Sequence, residues 1–146
     1  MAGHGKSHHC AQSAFLALSE QFGLGGEEVL KALTPMPGIA ERGETCGAIT
    51  GALLALGMVF GRDHLEDWEA YRQSLVPANS FVARFEAELG STLCCRIQEK
   101  AFGKSFDLMD PEALRQFQLA DATTKCTRVV QKAVRMAAEA IMDSKN

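Results

Sequence analysis

The sequence predicts an all-α protein: a compact single-domain bundle of about six to seven helices around a central apolar one at about residues 45–60. Three observations carry that expectation. From Cys46 to Phe60 the chain has no charge, and its only polar side chain besides the cysteine is Thr50. A helix that is apolar all round must be buried, and this one falls short of the ~20 residues that span a bilayer. Segments on either side repeat their apolar residues at helical spacing and start at capping residues. No convincing pair of strands appears anywhere.

Taken in order, Met1 to Ser7 is expected to be flexible. A first helix runs from about His9 to Phe22, with Cys10, Ala14, Ala17 and Leu18 near one stripe, and Gly23 to Gly26 stops it. A short helix covers about Glu27 to Leu33, its two acids placed at the positive end of the helix dipole. Pro35 and Pro37 exclude regular helix, because each removes a donor and restricts its predecessor. The loop Thr34 to Glu44 therefore delivers the chain to the central helix, and a loop ending at a cysteine is where a site is expected. In the central helix Gly47 and Gly51 share a face, leaving a bare strip where another backbone can approach closely. Each glycine costs about 1 kcal/mol relative to alanine, so close contact is a reason for them.

Beyond Gly61, a turn at Arg62-Asp63-His64 leads to a polar helix ending near Leu75. Pro77-Ala78-Asn79-Ser80 is expected to break it, with Asn79 or Ser80 capping a separate helix to Leu89. Gly90-Ser91 ends that one, and Ser91 caps a helix from Thr92 to Phe102 that carries Cys94 and Cys95. Asp110-Pro111-Glu112 is a strong start signal for a short helix. Asp121 reads as the cap of a last helix to about Met142, with Cys126, Val129, Val130, Ala133, Ala137 and Ile141 inward.

The 146 residues carry a net charge of −3 and 23% charged side chains, which argues against disorder. Basic residues are scattered, so nothing favours nucleic acid or an anionic membrane surface. The amino terminus is polar and His-rich with no apolar segment behind it, so the expected location is cytoplasmic. His4, His8 and His9 read as a solvated end or as opportunistic metal ligands, and the solvated reading is preferred. His64 lies in a polar turn and reads as solvated.

The five cysteines are Cys10, Cys46, Cys94, Cys95 and Cys126. An odd count in a chain read as cytoplasmic argues against a structural disulfide framework. There is no C-x-x-C and no zinc-finger spacing, so any cysteine chemistry must be assembled by folding. Cys10, Cys46, Cys126 and one of Cys94 and Cys95 fall near predicted helix N-termini, whose N–H groups and dipole favour thiolate over thiol. Alternate helices of an up-and-down bundle point the same way, so these N-termini are expected to gather at one end. The competing reading of each cysteine is a small buried hydrophobe, and for Cys95 that reading is kept.

With these residues placed, the chain resembles the bacterial and archaeal family of redox-active proteins named for its C_GCAxxG_C_C pattern. Cys10-Ala11-Gln12-Ser13 is similar to the family's opening cysteine. Gly43-Glu44-Thr45-Cys46-Gly47-Ala48-Ile49-Thr50-Gly51 is similar to its glycine-rich motif. Phe85 to Cys94, through Gly90-Ser91, resembles the segment holding the third cysteine, and Lys125 to Val130 the segment around Cys126. Cys95 departs from the pattern, and a slip of one residue would exchange it for Cys94. The resemblance implies redox or metal chemistry without supplying a substrate.

Three functions are weighed. The first is a thiol-based redox protein in which Cys46 attacks and Cys94 or Cys126 resolves, with Cys10 completing the catalytic set and a redox partner protein or a small thiol or disulfide as substrate. The second is a metal carrier, holding zinc or an iron–sulfur cluster on Cys10, Cys46, Cys94 and Cys126, with Gly47 and Gly51 beside the cofactor. The third is a non-catalytic helical interaction module, for which a homodimer is an option. Hydrolase chemistry has no support, because no nucleophile–histidine–acid set is visible. Gly47-x-x-x-Gly51 lacks the lysine and strand–loop–helix setting of a phosphate loop.

Overall fold

The computed structural model describes residues 9–144; His4, His8 and the stretch expected to be flexible lie outside the described residues. Among those described there are eight helices. They are α1 (Cys10–Phe22), α2 (Glu27–Ala32), α3 (Gly38–Glu41), α4 (Gly47–Phe60), α5 (Trp68–Leu89), α6 (Cys94–Phe102), α7 (Pro111–Leu119) and α8 (Ala122–Asp143). The only strand-like pairing among them is a single antiparallel bridge between Thr45 and Leu93. The all-α expectation holds, and the bridge carries weight below.

The apolar stretch forms α4 and sits at the centre, as its composition requires. Ala48, Ile49, Ala52, Ala55 and Leu56 are all buried. They join Ala11, Ala14, Phe15 and Leu18 of α1, Phe81 and Phe85 of α5, and Val130, Ala133, Met136, Ala137 and Ile141 of α8 in one core. The glycine strip of α4 faces α1. A Cβ on Gly51 would run into the backbone carbonyl of Ala11, and one on Gly47 into Cys10 Sγ, with Ala11 N at 3.0 Å. Gly47 and Gly51 thus let two helices cross at backbone contact, the close approach expected of a bare strip.

Local start and stop signals are realised at several ends. Gly23, Gly90 and Gly103 close α1, α5 and α6 in the left-handed conformation that glycine adopts freely. Asp110 caps α7 by accepting from Ala113 N at 3.0 Å, with Pro111 in the first turn. Asp121 precedes α8 without a side-chain capping bond and takes a positive φ of 67°.

The expected break at Pro77 does not occur: α5 runs unbroken from Trp68 to Leu89 with Pro77 inside. Phe81 and Phe85, both buried, anchor its second half to the core, and Asp67 caps its start through Ala70 N at 3.0 Å. Packing and capping therefore outweigh the lost backbone bond, and Asn79 and Ser80 are exposed interior residues instead of caps. Pro77→Ala restores that bond, at the cost of a freer unfolded chain. It is expected to raise stability by about 1–2 kcal/mol, read as a higher urea midpoint with unchanged slope.

The loop from Thr34 to Glu44 hides a further departure. Gly38, Ile39, Ala40 and Glu41 have φ of 62°, 54°, 58° and 60°, a left-handed turn built largely from residues with a Cβ. Such backbone costs about 1–2 kcal/mol per residue and persists only where its surroundings impose it. Backbone bonds from Ala40 N to Pro35 O (2.8 Å), Glu41 N to Pro37 O (2.9 Å) and Glu44 N to Gly38 O (3.0 Å) hold it.

Candidate functional site

α1 starts at Cys10, and His9 caps it. His9 Nδ1 accepts from Gln12 N at 3.1 Å, which leaves Nε2 to donate to Thr34 O at 2.7 Å. Both ring nitrogens are thus engaged, so His9 is a structural cap and neither of the roles expected for it. Gln12 extends the clamp, donating to Leu30 O at 2.9 Å. Together they fix Cys10 against the loop that leads to α4.

Cys46 is the N-cap of α4 and only 6% exposed. Its backbone N donates to Thr92 O at 2.9 Å, while Cys94 N donates to Glu44 O at 2.6 Å and Cys95 N to Gly43 O at 3.1 Å. These bonds flank the Thr45–Leu93 bridge and stitch the start of α4 to the start of α6. The first N–H groups of α6, expected to be free for a thiolate, are thereby spent on carbonyl oxygens. The stitch also turns two neighbours to different spaces. Cys94 turns to the interior, whereas Cys95 packs its Cβ 3.2 Å from where a side chain on Gly43 would begin, on a separate depression with Arg42, Ser105 and Asp107.

Cys10, Cys46, Cys94 and Cys126 line one cavity of about 60 Å3. Cys10 of α1, Cys46 at the cap of α4, Cys94 of α6 and Cys126 of α8 thus reach one space. A cavity of this size has room for water or a small reagent. Its outer wall comes from α6, α7 and the segment between them, where Phe102, Phe106 and Phe117 pack with ring centroids 5.2–5.6 Å apart. Lys125 lines it too, with Nζ 4.4 Å from the Phe102 ring centre.

Cys10 and Cys46 both border the crossing of α1 and α4, where Cys10 Sγ lies against Gly47. A hydrogen bond to Cys46, reinforced by burial, holds the Cys10 thiol well above its ordinary value, while the Gly47 N–H pulls the other way. Burial pushes Cys94 up to about 12, with Cys10, Glu41 and Cys126 adding repulsion and a bond from Gln98 Nε2 to Sγ (3.3 Å) partly offsetting it. Cys126 is pushed up to about 12 by burial and by Cys10 and Glu41. Desolvation therefore outweighs the helix ends at Cys94 and Cys126, and at Cys10 the neighbouring Cys46 does so ahead of burial, contrary to the expectation that their placement favours thiolates. Among the described residues no group of three or more His, Cys, Asp or Glu side chains is arranged to hold a metal ion.

A family model described as "Putative redox-active protein (C_GCAxxG_C_C)" matches residues 8–140. The chain belongs to this family. No curated protein and no solved structure matches the chain. In this C_GCAxxG_C_C protein the central motif reads Cys46-Gly47-Ala48-Ile49-Thr50-Gly51, with cysteine and glycine in the reverse of the order in the family's name. No helix among the described residues is long and apolar enough to cross a membrane.

Glu41 and Gln98, neither marked by a motif, also line the cavity. Gln98 is buried and uses both ends of its amide, donating to Cys94 and accepting from Phe106 N at 2.8 Å. Glu41 is half-buried on the cavity wall, and burial raises its carboxyl above the usual range. The only signal in the sequence was its place in the loop that ends at Cys46.

Proposed function

We propose that this is a thiol-based redox protein whose Cys10–Cys46 pair cycles between dithiol and disulfide. The observation that carries this reading is that Cys10 and Cys46 line one cavity where α1 crosses α4, with Cys10 Sγ lying where a side chain on Gly47, the residue after Cys46, would begin. Cys46, at the amino-terminal cap of α4, is the attacking sulfur. Cys46 attacks one sulfur of a substrate disulfide, on a partner protein or a small molecule, and the other half departs as a thiol. Cys10 then attacks the Cys46 sulfur of that mixed disulfide, and the second half departs as a thiol. Two protein thiols are oxidised, one disulfide is reduced to two thiols, and two protons pass from protein to products. Cys10, in contact with Cys46, takes the resolving role first assigned to Cys94 or Cys126.

The test is the intact mass of anaerobically purified protein, native and then denatured, before and after a small disulfide oxidant. The expected product lacks two hydrogens, and its peptide map joins Cys10 to Cys46. Cys46→Ser should abolish that bridge entirely. Thiols that stay inert would overturn the reading, and extra native mass lost on denaturation would move the cavity to a metal carrier.

A further inference from the structure

The cavity is lined by one carboxylate, and nothing in the cysteine exchange itself uses it. Glu41 also lines the surface depression formed with Arg42, Gly43, Cys95, Ser105, Phe106 and Asp107. It therefore belongs to two spaces at once: the cysteine cavity inside, and a depression whose Arg42, Ser105 and Asp107 are exposed. The left-handed turn Gly38–Glu41 puts it there, through three consecutive residues with a Cβ at positive φ. Backbone of that kind concentrates at functional positions. Closing a Cys10–Cys46 bridge releases two protons into a largely apolar chamber. The other charged group on the wall, Lys125, is stacked on Phe102.

We propose that Glu41 is the proton relay of the cysteine pair, taking the thiol proton of Cys10 as its sulfur attacks and passing it to the outer depression. This rests on the redox reading above. The Cys10 S–H bond breaks as the Cys10–Cys46 bond forms, the proton moves to a Glu41 carboxylate oxygen directly or through water in the cavity, and the departing thiolate of the substrate is protonated from solvent. Return of the disulfide to the dithiol runs the same path inward. Burial raises the Glu41 carboxyl and so brings it nearer to the thiols it serves. The titratable and charged groups facing it are Cys10 of α1, Cys46 at the head of α4, Cys94 of α6, and Lys125 and Cys126 of α8, with Arg42 and Asp107 on the outer side.

The alternative is that Glu41 acts only as a fixed negative charge, and the two roles predict opposite signs. Removing a mere charge eases formation of the thiolates it opposes, so Glu41→Gln would speed oxidation. Removing the relay slows it. The measurement is the rate of Cys10–Cys46 bridge formation in the full chain with 4,4′-dithiodipyridine, followed by acid quenching and peptide mapping between pH 5 and 9. The expected result is about a hundredfold slowing in Glu41→Gln near neutral pH, loss of the carboxyl limb of the pH profile, and substantial recovery in Glu41→Asp. A rate in Glu41→Gln equal to or above wild type overturns the relay while leaving the exchange intact. No bridge in the wild-type protein overturns both.

Discussion

Cys94 and Cys126 should alkylate at pH 8 about a thousandfold more slowly than an ordinary thiol. A thiol at 9.0 is about one-tenth ionised at that pH, whereas one near 12 is ionised to about one part in ten thousand, and thiolate is the reactive form. Iodoacetamide labelling with peptide mapping, folded and in urea, supplies the comparison within one chain. The pH dependence separates electrostatics from simple shielding. Shielded thiols would level off near pH 9, while these should gain about tenfold per pH unit up to about 12. Both thiols also make stability fall with alkali. Their folded values lie above their unfolded ones, so their contribution is complete below about 9 and is lost as pH climbs from there through about 12. Labelling of either residue at the ordinary rate would mean that the helix ends, and not burial, set its protonation.

This ordering bears on how the four cysteines divide their work. Burial holds Cys94 and Cys126 as thiols on the wall of the same cavity. Cys10 Sγ lies against Gly47, the first residue of α4. One negative charge at a time is what such a chamber tolerates, since each ionised group raises its neighbours. A relay that exports protons suits that condition better than a standing array of thiolates.

Elements whose signals are local were legible in the sequence. The uncharged run at Cys46–Phe60 had to be buried, and the Asp110-Pro111 cap and the glycine stops needed only their own neighbours. What escaped was decided by tertiary context. Pro77 is tolerated because Phe81 and Phe85, both buried, anchor the helix in the core. Ile39 and Ala40 carry no left-handed signal; their turn is imposed by the bonds to Pro35 and Pro37. The choice of Cys94 over Cys95 is a matter of which residue faces Gly43 across the bridge. Glu41 was invisible for the same reason, since a single acid in a loop acquires meaning only when the loop's conformation points it somewhere.

The glycine strip yields the other large effect, and it ties fold to chemistry. Gly51→Ala should destabilise the protein by about 2 kcal/mol or more, although the same change in an open helix stabilises by about 1 kcal/mol. The new Cβ would overlap the Ala11 carbonyl, with the rest of that residue's backbone at 3.0–3.2 Å. A backbone carbonyl cannot turn aside as a side chain can, so α1 and α4 must part. Gly57 is the internal control: it lies in the same helix, is exposed, and has nothing within 4 Å of an added Cβ. Gly57→Ala should therefore raise the urea midpoint where Gly51→Ala lowers it. The separation reaches the chemistry because Cys10 sits one residue before Ala11, and its sulfur rests where a Gly47 side chain would be. Parting the helices at Gly51 pulls Cys10 from Cys46, so Gly51→Ala should also slow bridge formation with the same disulfide reagent. If both alanine variants shifted the midpoint upward, the backbone crossing at Ala11 would not be what holds the two thiols together.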